Sequence, residues 1–359
     1  MNTAFKIVNL VDGDMLHAND GLLRNGYLLY PVEVKAPEAA KISINGVAAK
    51  YTEGVFTAKV LLENFENSIE IKEETSGEKE TITIYKLDHF AGKYRLSIDD
   101  NIWFLQDIYQ NEHRYTSIFD NSYLAFLKRL HEQYGTKVHL NLFYQTDGFN
   151  LSQLSDKYKA EWTAQADWLR LSFHAIEEFP DMPYKNASYE TVKKDCDLVM
   201  AEIKRFAGEA LMGPITTLHW GESNAEGARA LKDAGYKGLL GYFNVDDDLF
   251  PASYYLSVDQ RRHLKKRFIW KDPATEIVLI KTSIVLDKTD LKDIVPHLDS
   301  YENKSGKQPP YVDLLVHEQY YYPFYFNYEP DYCQRIETAV QWAVKNGYTP
   351  EFLGDSIFK

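Results

Sequence analysis

Cysteine is scarce: Cys196 and Cys333 are the only two among 359 residues, and neither stands in a Cys-x-x-Cys or metal-knuckle spacing. A disulfide-stapled fold, a zinc knuckle and a dithiol redox centre are thereby excluded, and both thiols read as buried small hydrophobes. Long apolar runs are also missing. Nothing approaches the ~18 residues a membrane-spanning helix needs, so no membrane span is expected. The opening Met1-Asn-Thr-Ala-Phe-Lys-Ile-Val-Asn-Leu10 lacks the apolar core of a signal peptide. That points to the cytoplasm, or to a chain outside it whose leader was trimmed. Positive charge is in deficit, with 40 Lys and Arg against 53 Asp and Glu, a net −13 and a pI near 5.3. Such a surface repels polyanions, and no nucleic-acid partner is expected.

The composition that is present, 45% hydrophobic and 26% charged, is that of a globular chain. At ~150 residues per domain the length predicts two domains. From Pro31 to Leu87 apolar and polar residues alternate, as in Pro31-Val-Glu-Val-Lys35, Phe56-Thr-Ala-Lys-Val60, Ser68-Ile-Glu-Ile-Lys72 and Glu80-Thr-Ile-Thr-Ile-Tyr85. Period two marks half-buried strands, and Asn45-Gly46 and Glu53-Gly54 supply turns between them. Residues 1–88 are therefore expected to form an immunoglobulin-like β-sandwich. Asp12-Gly-Asp14 and Asn19-Asp-Gly21 have the look of a calcium loop but lack its full ligand pattern, and read as loops.

After Asp88-His-Phe-Ala-Gly92 the period changes. Apolar runs at Tyr94–Ile98, Val138–Phe143, Leu169–Phe173, Ile215–Leu218, Gly238–Tyr242, Ile277–Leu286 and Val312–Val316 alternate with helical stretches. The helices carry end signals: Asp120 before one that stops at Gly135, Ser188 before one that stops near Gly208, Asn224 before one ending at Gly235, and Pro330 before one ending at Gly347. Strand and helix in alternation predict a parallel (β/α)7-type barrel over 89–359, a multidomain α/β chain overall. Chemistry on such barrels sits where the strands end, so the residue after each apolar run is the one to read.

Those positions are rich in metal donors. The first run ends in Asp99-Asp100-Asn101, the third in His174 followed by Glu177 and Glu178, the fourth in His219-Trp220-Gly221-Glu222, and the last in His317-Glu318-Gln319. Imidazole nitrogen and carboxylate oxygen both suit zinc at ~2.0–2.2 Å, and a histidine with a carboxylate four residues on can supply two ligands to one ion. A bland fold would not repeat this at four strand ends.

The order Ser97-Ile-Asp-Asp-Asn101, His174-Ala-Ile-Glu-Glu178, His219-Trp-Gly-Glu222 and Leu315-Val-His317 resembles the polysaccharide deacetylases of NodB type, carbohydrate esterase family four, over Tyr94–Leu353. The helix from Asn224 to Gly235-Tyr236 is similar too. The resemblance implies Asp99 as general base, Asp100 and His174 as metal ligands and His317 as general acid. It implies a divalent ion, zinc first with cobalt, nickel or manganese as alternatives, and an acetylated carbohydrate as substrate. Three departures stand out. Asn101 replaces glycine, Glu178 stands where a second histidine belongs, and His219-Trp-Gly-Glu222 occupies the place of the segment that braces the base. Either Glu178 is the third ligand or His219 swings in. Glu178 is assigned to the metal, and His219, Trp220, Glu222, Glu318 and Tyr320 to substrate.

Two other functions compete. A glycoside hydrolase could pair Glu222 with Glu318 and needs no metal. A sugar-binding relative without catalysis could use the aromatic run Tyr320-Tyr-Tyr-Pro-Phe-Tyr-Phe326 with Tyr328, since flat rings stack on sugar faces. The basic cluster Arg261–Arg267 reads as a solvated face and Asp246-Asp-Asp248 as an exposed loop; His17, His89, His113, His131, His139, His263 and His297 read as structural or exposed. Alanine at Asp100 or at His174 is expected to abolish stoichiometric metal in the purified protein. Metal content unchanged in both variants would place the site elsewhere.

Overall fold

The computed structural model describes residues 4–246, 252–305 and 308–358; Asp247 and Asp248 lie outside them. The chain forms two compact units. One contains the residues up to Ala91 together with Ile269–Ala274, the other Gly92–Phe268 together with Thr275 onward. The short 269–274 segment, expected in the second domain, belongs to the first: Lys271 N–H donates to Gly13 O at 3.0 Å and the Trp270 indole N–H to Asp12 O at 2.8 Å. Local periodicity cannot reveal such an excursion, because its partners lie some 250 residues away.

The first unit consists of two sheets sharing one core. One runs Lys6–Ile7, Tyr27–Lys35, Val55–Leu62, Lys50–Thr52, with Leu22–Arg24 paired to Tyr27–Lys35. The other runs Met15–His17, Lys79–Leu87, Glu66–Glu73, Ile42–Ile44, Val47–Ala48. Alternate residues point inward, so Leu28, Val32 and Val34 meet Ile69, Ile71, Ile82 and Ile84 in a single cluster. Asn45-Gly46 and Glu53-Gly54 both adopt positive φ, which two-residue hairpins of the mirror-image type require. Asn25-Gly26 does the same one hairpin earlier.

In the second unit every expected apolar run contains a strand, and the run Ile277–Leu286 contains two. Leu169–Ala175, Val138–Phe143, Lys93–Asn101, Tyr311–His317 and Ile284–Val285 lie side by side in parallel; Ile215–Thr216, Gly238–Gly241 and Val278–Lys281 form a second parallel sheet. The run 278–285 passes from one sheet into the other, and Gly213 N–H donating to Leu171 O at 3.2 Å links their far ends. The helices start where their caps dictate. The Ser188 side chain accepts from Thr191 N–H ahead of Tyr189–Phe206, and Asn224 accepts from Gly227 N–H ahead of Ala225–Asp233. Ser122–Tyr134 is capped by Asn121 rather than Asp120, whose carboxylate closes the preceding turn.

A buried ion pair ties the strands together. Arg95 donates to Asp313 at 2.8 Å and to His139 Nδ1 at 2.8 Å, His139 Nε2 reaches Ser172 Oγ at 2.7 Å, and Thr282 donates to Asp313 at 3.2 Å. Burial lowers the His139 pKa well below its ordinary value, so a neutral ring accepts from Arg95 and donates to Ser172. Removing one member of such a pair leaves a bare charge in the interior. Asp313→Ala is expected to cost about 3–5 kcal/mol in urea unfolding, and a loss below about 1 kcal/mol would show that the pair is dispensable.

Candidate metal centre

Two irregularities in the sheet aim the site. Between Ile98 and Asn101 the Lys93–Asn101 strand has one residue more than its neighbour, and between Phe173 and Ala175 the Leu169–Ala175 strand has one more than Val138–Phe143. The residues in these bulges are Asp99 or Asp100 and His174. A regular strand would send Asp99 and Asp100 to opposite faces, but a bulge re-aims one of them, and both are buried. Asp100 takes φ +62°, a left-handed conformation that non-glycine residues adopt at a cost of order 1–3 kcal/mol. His219 sits in a short turn, followed by Trp220 at φ +66°.

These devices bring three donors together. Among the described residues, one ligand atom each of Asp100, His174 and His219 lies within 4.8 Å of the other two. His174 Nε2 is 2.9 Å and His219 Nδ1 3.0 Å from Asp100 Oδ1, and the two nitrogens are 3.2 Å apart. The other nitrogen of each ring is committed: His174 Nδ1–H donates to Thr217 O, and His219 Nε2–H donates to Glu178 O at 3.0 Å. Those carbonyls set both tautomers, so two imidazole lone pairs and a carboxylate oxygen converge on one another. Acceptors at such separations repel unless a cation or a proton lies among them. A tetrahedral ion with ~2.0–2.2 Å bonds spaces its ligands by about 3.3–3.6 Å, close to the separations found, so the donor set fits zinc. Burial would raise the Asp100 carboxyl, but His219 and His174 beside it hold it well below the usual carboxylate range. Burial likewise opposes a charge on His219, and Asp100 more than offsets it, raising that imidazole above its ordinary value. The Phe143 ring walls the group, 5.3 Å from the His174 ring and 5.0 Å from that of His219.

Beside the triad lie Asp99 and His317, register partners on adjacent parallel strands. Asp99 accepts from the Asn141 amide at 2.6 Å, and Asn141 accepts from Thr216 at 3.1 Å. Burial raises the Asp99 carboxyl, with His174 and His317 opposing. His317 donates Nδ1–H to Asp287, at 2.9 and 3.0 Å from its two oxygens, which leaves Nε2 free for substrate. Burial lowers the His317 pKa, yet the fully buried Asp287 outweighs it, and the imidazole is pushed up to about 10. Asp287 was missed in the sequence, although it follows the apolar run Ile277–Leu286 directly and the strand-end rule reaches it.

Other expected site residues have different work. The Glu178 carboxylate accepts from Gln319 and is not in the grouped donors; its contribution to the triad is the main-chain carbonyl that orients His219. His219, assigned to substrate with the third ligand place as its alternative, lies with Asp100 and His174 in the group that could hold a metal. Glu318, also assigned to substrate, is fully buried and accepts from the N–H groups of Ile102, Trp103 and Phe104 at 2.6, 3.0 and 2.6 Å and from Tyr322 at 2.8 Å. It caps the helix Trp103–Asn111. Glu222 accepts from Ser253 N–H at 3.0 Å and is buried, bracing the turn that carries His219. A carboxylate pair of Glu222 and Glu318 is thus occupied in backbone contacts. Tyr320 accepts from Lys288 and is buried, whereas Trp220, whose ring lies 6.0 Å from that of His219, stays 38% exposed.

No family model matches the chain, and no curated protein sequence does. Solved structures that the chain matches include a CE4 family pseudoenzyme from Bacillus anthracis, at 9% identity over 76% of this chain and 68% of that one, TM-score 0.40. A peptidoglycan N-acetylglucosamine deacetylase matches at 11% identity over 75% of this chain and 90% of that one, TM-score 0.38. A 4-α-glucanotransferase from Thermococcus litoralis matches at 11% over 75% and 40%, TM-score 0.48. All three scores are low, and the functional reading rests on the side chains. His219→Ala is expected to lose bound zinc while Glu178→Ala, which keeps the main-chain carbonyl, retains it by metal analysis; the reverse result would return Glu178 to the ligand set.

Proposed function

We propose that the protein is a metal-dependent hydrolase that removes acetyl groups from a carbohydrate. The observation that carries this reading is the convergence of Asp100, His174 and His219 acceptors within 2.9–3.2 Å, next to Asp99 and a His317 held by Asp287. The motif order along the sequence, which resembles the polysaccharide deacetylases, supports it. Asp100, His174 and His219 would hold the ion, most naturally zinc, which supplies Lewis-acid polarisation of an acyl carbonyl and acidifies water. Asp99, fixed by Asn141, takes the proton of the attacking water. His317, its Nδ1–H fixed on Asp287, presents a protonated Nε2 to the leaving amine or alcohol. Trp220 offers an exposed ring to the sugar. The first unit is proposed to be an immunoglobulin-like accessory module to the deacetylase barrel.

Acetate release from N- and O-acetylated sugars by the zinc-loaded protein tests the reading, and Asp99→Asn or His317→Ala is expected to reduce it by about 10²–10⁴-fold. Zinc binding and sugar binding without acetate release would favour the non-catalytic relative. A second prediction concerns pH. His317 acts in its protonated form, which persists below its raised pKa; Asp287→Asn removes the group that raises it, so the alkaline limb of the rate profile is expected to move to lower pH. An unmoved limb would remove Asp287 from this role.

A further inference from the structure

Asn101 stands where the enzymes that the motif order resembles carry glycine, and its side chain is fully buried. The bulge between Ile98 and Asn101 interrupts the ladder to Val138–Phe143, and carbonyls at such a break need donors from outside the ladder. The Asn101 amide directs both of its hydrogens to carbonyls there. Its Nδ2 donates to Ile98 O at 2.6 Å, on its own strand, and to Asn141 O at 3.1 Å, on the next one. Its Oδ1 accepts from the buried Tyr123 hydroxyl at 3.4 Å, and a flipped amide would set an oxygen against both carbonyls. The bond to Ile98 closes a ring around Asp99 and Asp100, and Asp100 is the residue at φ +62°. The bond to Asn141 holds the main chain of a residue whose side chain donates to Asp99 at 2.6 Å. Glycine could pass through the same bulge, but it has no side chain to hold either carbonyl.

We infer that Asn101 is a positioning residue that locks the bulge: it holds Asp100 in its left-handed conformation toward His174 and His219 and, through Asn141, fixes the Asp99 carboxylate. The inference deepens the metal-centre reading and rests on it. Zinc affinity by chelator competition and the visible spectrum of the cobalt-loaded protein, for the unsubstituted chain, Asn101→Ala and Asn101→Leu, test it. Leucine fills roughly the volume of asparagine without a donor, so a loss shared by both variants follows the hydrogen bonds and not a cavity. Zinc is expected to bind about 10–100-fold more weakly in both, the range for groups that orient a metal ligand, with an altered cobalt spectrum. Asn121→Ala, which removes the cap of Ser122–Tyr134, is expected to lower the urea midpoint yet keep zinc affinity within about threefold, which separates lost stability from lost positioning. Zinc affinity within about threefold in both Asn101 variants and an unchanged cobalt spectrum overturn the role of Asn101 and leave the metal centre standing. A loss confined to Asn101→Ala assigns the effect to the cavity and overturns the role as well. An unsubstituted chain that takes up neither ion removes the metal centre itself, and the role with it.

Discussion

Three acceptor atoms held 2.9–3.2 Å apart in a buried site set the terms for everything around them. Left alone they repel, so the fold must hold them against one another until a cation or proton joins them. Each is held by different means: a left-handed residue in a bulge for Asp100, a second bulge for His174, and a strained turn for His219. Strain of this kind persists only where the surroundings over-determine it. The Thr217 and Glu178 carbonyls complete the restraint by setting which ring nitrogen carries the proton.

The stiffness comes from strand ends locked to each other across long sequence separations. Glu318, next to His317, captures the first N–H groups of the helix that begins just after Asn101, and so ties the strand of the candidate acid to the strand of the candidate base and ligand. Below it, Arg95 and Asp313 join the same two strands, and His139 and Ser172 extend the link to the next two. Carboxylates that serve as fasteners in this way have their oxygens committed to main-chain N–H groups.

Much of this was legible in the chain. Period-two alternation marked the strands of the first unit, and apolar runs followed by Asp, His, His and His marked the parallel strands of the second unit and four candidate site positions, because both signals are local and repeat within a few residues. The helix Trp103–Asn111 was not legible, since it has no capping side chain of its own and borrows Glu318 from 215 residues away. The 269–274 segment was assigned to the wrong unit for the same reason: its hydrogen bonds go to Asp12 and Gly13.

By itself the sequence determined the order of elements and which donors stand at strand ends, because hydrophobic periodicity and end signals act over one or two turns or strands. Only the tertiary structure brought three of those donors, Asp100, His174 and His219, together. Glu178 and His219 are equally good zinc ligands as residue types, and what separates them is where their side chains point: the Glu178 carboxylate turns to Gln319, while the turn at Trp220 and the Glu178 carbonyl present His219 Nδ1 to Asp100. Likewise Glu318 reads as a substrate-binding carboxylate until the helix N-terminus in front of it is seen. Orientation depends on bulges, main-chain carbonyls and partners distant in the chain, and none of these has a local sequence signal.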